Sequence, residues 1–170
     1  MSRPGAEQPG ESVIAEAVSE TADLEDAREK LIQSFGNLPD ADLDEPGVVG
    51  DWSVRECLAH ILVWDRWGVE TLAALERGEA TSAPDEATVN QSACRACPPY
   101  SVQEFVRELR GLRKNLIDGL AVMTDEERSE PRYEMDGRQI SADDFIDGFI
   151  EHDLEHASGI RAWRKAKGHC

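Results

Sequence analysis

Three features of this 170-residue sequence predict an all-α fold, a four-helix bundle with a long crossover between the second and third helices. Apolar residues recur every three or four positions in four long segments, strand-like alternation is nearly absent, and Ser-x-x-Glu capping signatures open the second and third segments. Helices that each carry one apolar stripe must bury it against one another, and four of them close a bundle. The length allows one domain with a real core and is short for two.

Residues 1–18 are rich in Pro, Gly, Glu and Ser and hold few large apolar groups to offset their ordering entropy. They read as a flexible tail, and residues 19–170 as the domain. From about Thr21, Leu24, Ala27, Leu31, Ile32 and Phe35 recur at helical spacing until Gly36, Asn37 and Pro39 break it, which gives the first helix. A loop with Pro46, Gly47 and Gly50 follows. Ser53 and Glu56 then form a capping box, hydroxyl to a free backbone N–H and carboxylate back to the cap, and the second helix runs to about Arg77 and Gly78.

Residues 78–100, with Pro84, Asn90, Pro98 and Pro99, read as the long crossover. Ser101 and Glu104 repeat the box, and Val102, Phe105, Val106, Leu109, Leu112, Leu116, Ile117 and Leu120 make the stripe of the third helix. Thr124 and Glu127 open a short turn, and Asp136-Gly137 turns a small hairpin. The fourth helix begins near Ser141. Asp143 and Asp144 stand at its positive end and Arg161, Arg164, Lys165 and Lys167 at its negative end, as the helix dipole favours.

With 35 Asp and Glu against 18 Lys and Arg, the formal charge of -17 repels phosphate backbones, so no nucleic-acid partner is expected. No run approaches the roughly 18 apolar residues of a membrane span, and the N-terminus lacks a signal-peptide core, so the expectation is a soluble, cytoplasmic protein without a membrane partner. The cysteines are Cys57, Cys94, Cys97 and Cys170. The Cys94-x-x-Cys97 pair has neither a second ligand pair at zinc spacing nor the strand-then-helix context of a redox motif, and reads as loop.

The chemistry concentrates in histidine. His152 and His156 stand about one turn apart in the middle of the stripe Phe145, Phe149, His152, His156, Ile160, Trp163, so both face the core. On the second helix Ser53, Cys57, His60, Trp64 and Trp67 form a similar file. A single core histidine is ordinarily just a hydrogen-bonded packing residue. Two buried imidazoles one turn apart need two sets of partners, and a metal satisfies both. Three neutral imidazoles suit zinc, nickel or iron, with a fourth position open to substrate or water. His169, next to the C-terminal residue, is expected outside the core. Asp153 stands where a zincin carries glutamate and no third ligand follows downstream, which argues against a metalloprotease.

The stretch from Trp52 to Asp65, WSVRECLAHILVWD, and the His152-x-x-x-His156 helix ending in Ile160-Arg161-Ala162-Trp163 resemble the second and last helices of the DinB/YfiT-like superfamily. The resemblance covers roughly residues 20–167. It implies a four-helix bundle, a divalent metal at His60, His152 and His156, and a reaction such as those of the thiol transferases and isomerases that use bacillithiol or mycothiol. The excess of Arg over Lys fits the GC-rich genomes that often accompany mycothiol. A neighbouring branch, the ClbS-like resistance proteins, disarms reactive natural products.

The expected function is therefore a metal-dependent transferase or hydrolase that activates a low-molecular-weight thiol or water against an electrophilic small molecule. A cation favours thiolate over thiol, and thiolate is the nucleophile. Asp65, Asp153 and Glu155 are candidates to orient a ligand imidazole through its second nitrogen. Trp64 and Trp67 are candidates to line the substrate pocket, and Cys57 reads as core filler. The alternatives are a self-resistance protein that sequesters its ligand without turnover, with Trp52 and Trp163 adding to an aromatic pocket, and an inactive bundle that forms a homodimer through an exposed helix face.

Overall fold

A computed structural model describes residues 9–79, 81–135 and 137–169, with the side chains of all these except 9–20, 93–95 and 135. In chain order the elements are α1 (Pro9–Phe35), a single 3-10 turn (Asp40–Asp42), β1 (Pro46–Val49), β2 (Trp52–Ser53), α2 (Val54–Glu76), α3 (Glu86–Arg95), α4 (Val102–Ala121), α5 (Asp125–Ser129), β3 (Tyr133–Met135), β4 (Arg138–Ile140) and α6 (Ala142–Lys167). The long helices α1, α2, α4 and α6 form the four-helix bundle. α1 packs on α6 and α4, and α2 on α4 and more lightly on α6, so α1 lies diagonal to α2. The crossover runs from α2 to α4.

The capping chemistry places the helix starts. Ser53 with Glu56, Ser101 with Glu104 and Thr124 with Glu127 all form reciprocal boxes, each carboxylate accepting the cap N–H at 2.8 Å. α6 has a fourth box, in which Asp144 does the work of the usual glutamate for Ser141. The hairpin of β3 and β4 turns at Gly137, whose φ of 72° suits a residue without Cβ.

Three stretches differ from expectation. α1 starts at Pro9, about three turns before the apolar repeat; of the expected tail, residues 1–8 lie outside the described residues and 9–18 belong to α1. Pro9 needs no N–H in the first turn, and no Gly or Pro interrupts the Glu- and Ala-rich run that follows Gly10, so intrinsic propensity favours helix there. The crossover also contains α3, capped by Asp85, which accepts the Thr88 N–H at 2.8 Å. Among the described side chains of that short helix Val89 is the buried apolar one, too little for a periodic signal. The β1 and β2 pairing, Pro46 with Ser53 and Val49 with Trp52, likewise lies in what reads as loop.

The core falls into two apolar clusters. One gathers Leu31, Phe35, Leu58, Ile61, Phe105, Leu109 and Ile160, the other Leu24, Leu72, Leu116, Leu120, Phe145, Ile146 and Phe149. On every long helix a charged residue sits between the two: Arg28, Asp65, Arg113 and Asp153, each 0–2% exposed. Arg28 Nη2 lies 2.7 Å from Asp65 Oδ2, Arg28 Nε 3.0 Å and Arg113 Nη2 2.8 Å from Asp153 Oδ2. This electroneutral tetrad ties all four helices together. Burial, then repulsion from Arg28, still pulls Arg113 down to about 10. Burial pushes the Asp153 carboxyl up, against the attraction of both arginines.

Candidate metal centre

His60 comes from α2, and His152 and His156 from successive turns of α6. Their Nε2 atoms converge: His60 and His156 stand 2.9 Å and 3.1 Å from His152. Among the described residues this is the grouping of metal-ligating side chains whose donor atoms meet, all within 4.8 Å. His60 and His156 are 6% and 8% exposed. Trp52 and Trp64 meet the His60 ring edge-on, with centroids at 5.4 Å and 6.3 Å.

Burial holds these rings neutral, seconded at His60 and His152 by the other imidazoles. His60 falls to about 4, through burial first and His156 second, while Asn90 opposes the fall. His152 falls to about 2, through burial, then His156 and His60, then the Arg28 and Arg113 charges behind it. Burial lowers His156 too, opposed by Glu155.

The arrangement fits a divalent ion. Each neutral imidazole has one proton, so His152 Nε2, which contacts two other ring nitrogens, can satisfy only one of them as donor or acceptor. A cation satisfies all three lone pairs. Nitrogens about 2.1 Å from a tetrahedral ion stand roughly 3.4 Å apart, close to the spacings observed here. The Nδ1 atoms of His60 and His156 are buried without a hydrogen-bond partner, the positions that carry the proton when Nε2 is the ligand.

A cavity of about 270 Å³ opens beside the histidines. Trp64, Trp67, Phe145 and Phe149 form aromatic walls, His60 and His152 reach its surface, and Glu86 and Asp144 add carboxylates. Trp67 is held by its ring N–H, which donates to the Ser82 carbonyl at 3.3 Å. Thus Trp64 and Trp67 stand beside the histidines in the wall of this cavity. Trp52 meets only the His60 ring edge, and Trp163 packs in the core with its N–H on the Pro46 carbonyl.

Asp65 and Asp153, the carboxylates expected to orient a ligand imidazole, both bond the arginines of the tetrad. Asp153 follows His152 by one residue, a rotation of about 100° around α6. That turns it toward Arg28 of α1 and Arg113 of α4. Glu155 is exposed. Cys57 is fully buried and outside the converging set. Cys97 contacts the Arg55 carbonyl at 3.5 Å, while the Cys94 side chain and Cys170 lie outside the described residues. His169 sits near Asp42 and Glu45 and stacks on Trp163.

Sequence reasoning passed over Arg28 and Arg113, although a basic residue flanked by Leu24 and Leu31, or by Leu109 and Leu116, on a core face was a readable signal. It also passed over Glu86 and Asn90, which only the packing of α3 brings to the site.

The sequence profile of the DinB superfamily matches residues 23–160. The chain belongs to the DinB superfamily. This agrees with the resemblance read from the Trp52 to Asp65 and His152 to Trp163 stretches. No curated protein matches the sequence. Among solved DinB-like folds, YfiT from Bacillus subtilis, described as a probable metal-dependent hydrolase with an unusual four-helix bundle topology, is 18% identical with a TM-score of 0.74, covering 98% of this chain and 94% of that one. An uncharacterised Clostridium difficile 630 protein is 18% identical, with a TM-score of 0.77 and coverage of 88% and 95%. A Streptococcus pneumoniae protein is 19% identical, with a TM-score of 0.75 and coverage of 88% and 90%. At these identities the likeness is one of fold.

Proposed function

We propose that this DinB-superfamily protein is a metal-dependent enzyme in which His60, His152 and His156 hold a divalent ion, zinc by the preference of three imidazoles, with nickel or iron also suited. It directs a small thiol or water at an electrophilic small molecule bound in the adjoining cavity. The observation that carries this reading is the meeting of three neutral Nε2 atoms beside an aromatic cavity. The description of YfiT as a probable metal-dependent hydrolase supports it.

A bound divalent ion supplies Lewis acidity that lowers the pKa of a thiol or water. The protein's own residues do the rest. Trp64, Trp67, Phe145 and Phe149 hold the apolar body of the electrophile and keep water from it. Among the described residues the lining includes Glu86 and Asp144 and neither lysine nor arginine, which favours neutral or cationic substrates and a thiol free of carboxylates. In the reaction a sulfur–carbon or oxygen–carbon bond forms as the bond to the leaving group breaks, and the nucleophile's proton ends on solvent or the leaving group.

The test is elemental analysis of protein purified without a metal-affinity tag. The expected result is about one zinc, nickel or iron per chain, lost in His152→Ala, followed by turnover in a screen of thiols and electrophiles. No metal in either protein, even after incubation with zinc, overturns the reading. Retention of unchanged electrophile in a one-to-one complex, with no product by mass spectrometry, would make the protein a sequestering one.

A further inference from the structure

We infer that Asn90, on the crossover helix α3, is the positioning residue for His60: its side-chain oxygen accepts the Nδ1 proton of that ring, leaving Nε2 unprotonated and aimed at the metal. The inference rests on the proposed metal site and extends it to a residue outside the bundle proper.

Two orphaned atoms carry it. His60 Nδ1 and Asn90 Oδ1 are both buried and neither has a hydrogen-bond partner. They are complementary, since a ring that ligates through Nε2 carries its proton on Nδ1 and an amide oxygen can only accept. The orientation of the amide agrees. Asn90 Nδ2 points to Glu86 Oε1, at 3.5 Å one turn earlier on α3, which leaves Oδ1 for the ring. Glu86, the partner of the amide, lines the same cavity as His60, so this turn of α3 faces the ring.

The surroundings explain why this role falls to α3. The carboxylates nearest in sequence are committed elsewhere, Glu56 to the Ser53 cap and Asp65 to Arg28. α3 packs directly on α2, held at its start by the Asp85 cap and on its inner side by Val89. Its residues Glu86 and Asn90 then link the cavity wall to the ligand ring. A hydrogen bond of this kind fixes the tautomer and orientation of a ligating histidine, and its loss typically weakens metal binding by about 10- to 100-fold.

The test is zinc affinity at pH 7, by competition with a chromophoric chelator, for wild type, Asn90→Ala, Asn90→Asp and His60→Ala, alongside urea unfolding of each metal-free protein. Asn90→Ala should weaken zinc binding by about 10- to 100-fold, and Asn90→Asp, which keeps the acceptor, should restore it. Metal-free unfolding midpoints should not separate the two Asn90 variants in that pattern. A residue that merely packs α3 would lower both midpoints and leave zinc affinity alike in the two.

Zinc affinity of Asn90→Ala within threefold of wild type, with binding lost in His60→Ala, overturns the role of Asn90 and leaves the metal site standing. Unchanged affinity in His60→Ala as well would remove the metal-site reading and this inference with it.

Discussion

At His60, His152 and His156 the fold holds three imidazoles in the neutral form that a metal requires. The ordinary histidine value is 6.5, whereas in the fold His60 titrates near 4 and His152 near 2. Between these values the unfolded chain binds more protons than the folded one, so stability rises with pH across the window. Metal-free protein should therefore keep this contribution in full above about pH 6.5 and lose it as pH falls toward 4. Urea midpoints measured from pH 7.5 down to 4.5 should show the fall, and His152→Gln should flatten it. A flat profile in the wild type would mean that the rings titrate freely.

At the level of the elements, the contact of α2 with α6 shapes the cavity, and Gly68 permits it. A Cβ there would lie 2.7 Å from Phe149 Cζ and 3.1 Å from Phe145 Cζ, the two rings that wall the cavity. Gly68→Ala should cost about 1–3 kcal/mol through overpacking and reduce retention of an aromatic ligand. Gly111, in α4, has nothing within 4 Å of such a Cβ, so Gly111→Ala should stabilise by about 0.5–1 kcal/mol. Denaturant unfolding of the two variants should show opposite signs. The elements themselves were readable: capping boxes at Ser53, Ser101 and Thr124 marked helix starts because such bonds span three residues. α3 was not, because with Val89 as its buried apolar anchor its order comes from packing on α2.

Across the whole molecule, the tetrad of Arg28, Asp65, Arg113 and Asp153 sets how the four long helices meet. Removing one member of such a set leaves a buried charge uncompensated. Arg28→Met should cost about 3–5 kcal/mol. Arg110→Ala removes an exposed pair with Glu29, at 2.7 Å, and should cost roughly 0–1 kcal/mol. Unfolding both variants in urea checks the contrast. Equal costs would mean that the tetrad contributes no more than a surface pair. The tetrad also stands behind the histidines, since the Arg28 and Arg113 charges help hold His152 neutral. Loss of either arginine thus bears on the metal centre as well as on the bundle.

Local spacing by itself determined the four long helices, most of their starts and the core-facing placement of His60, His152 and His156, because a helix writes its buried face into every three or four residues. Only the tertiary structure decided that the three Nε2 atoms meet, that Asp65 and Asp153 pair with arginines, and that α3 packs against the helix of His60. Those relations join residues far apart in the chain, 92 between His60 and His152 and 125 between Arg28 and Asp153. They follow from the order in which the helices pack and the rotation of each about its axis, which no single helix encodes.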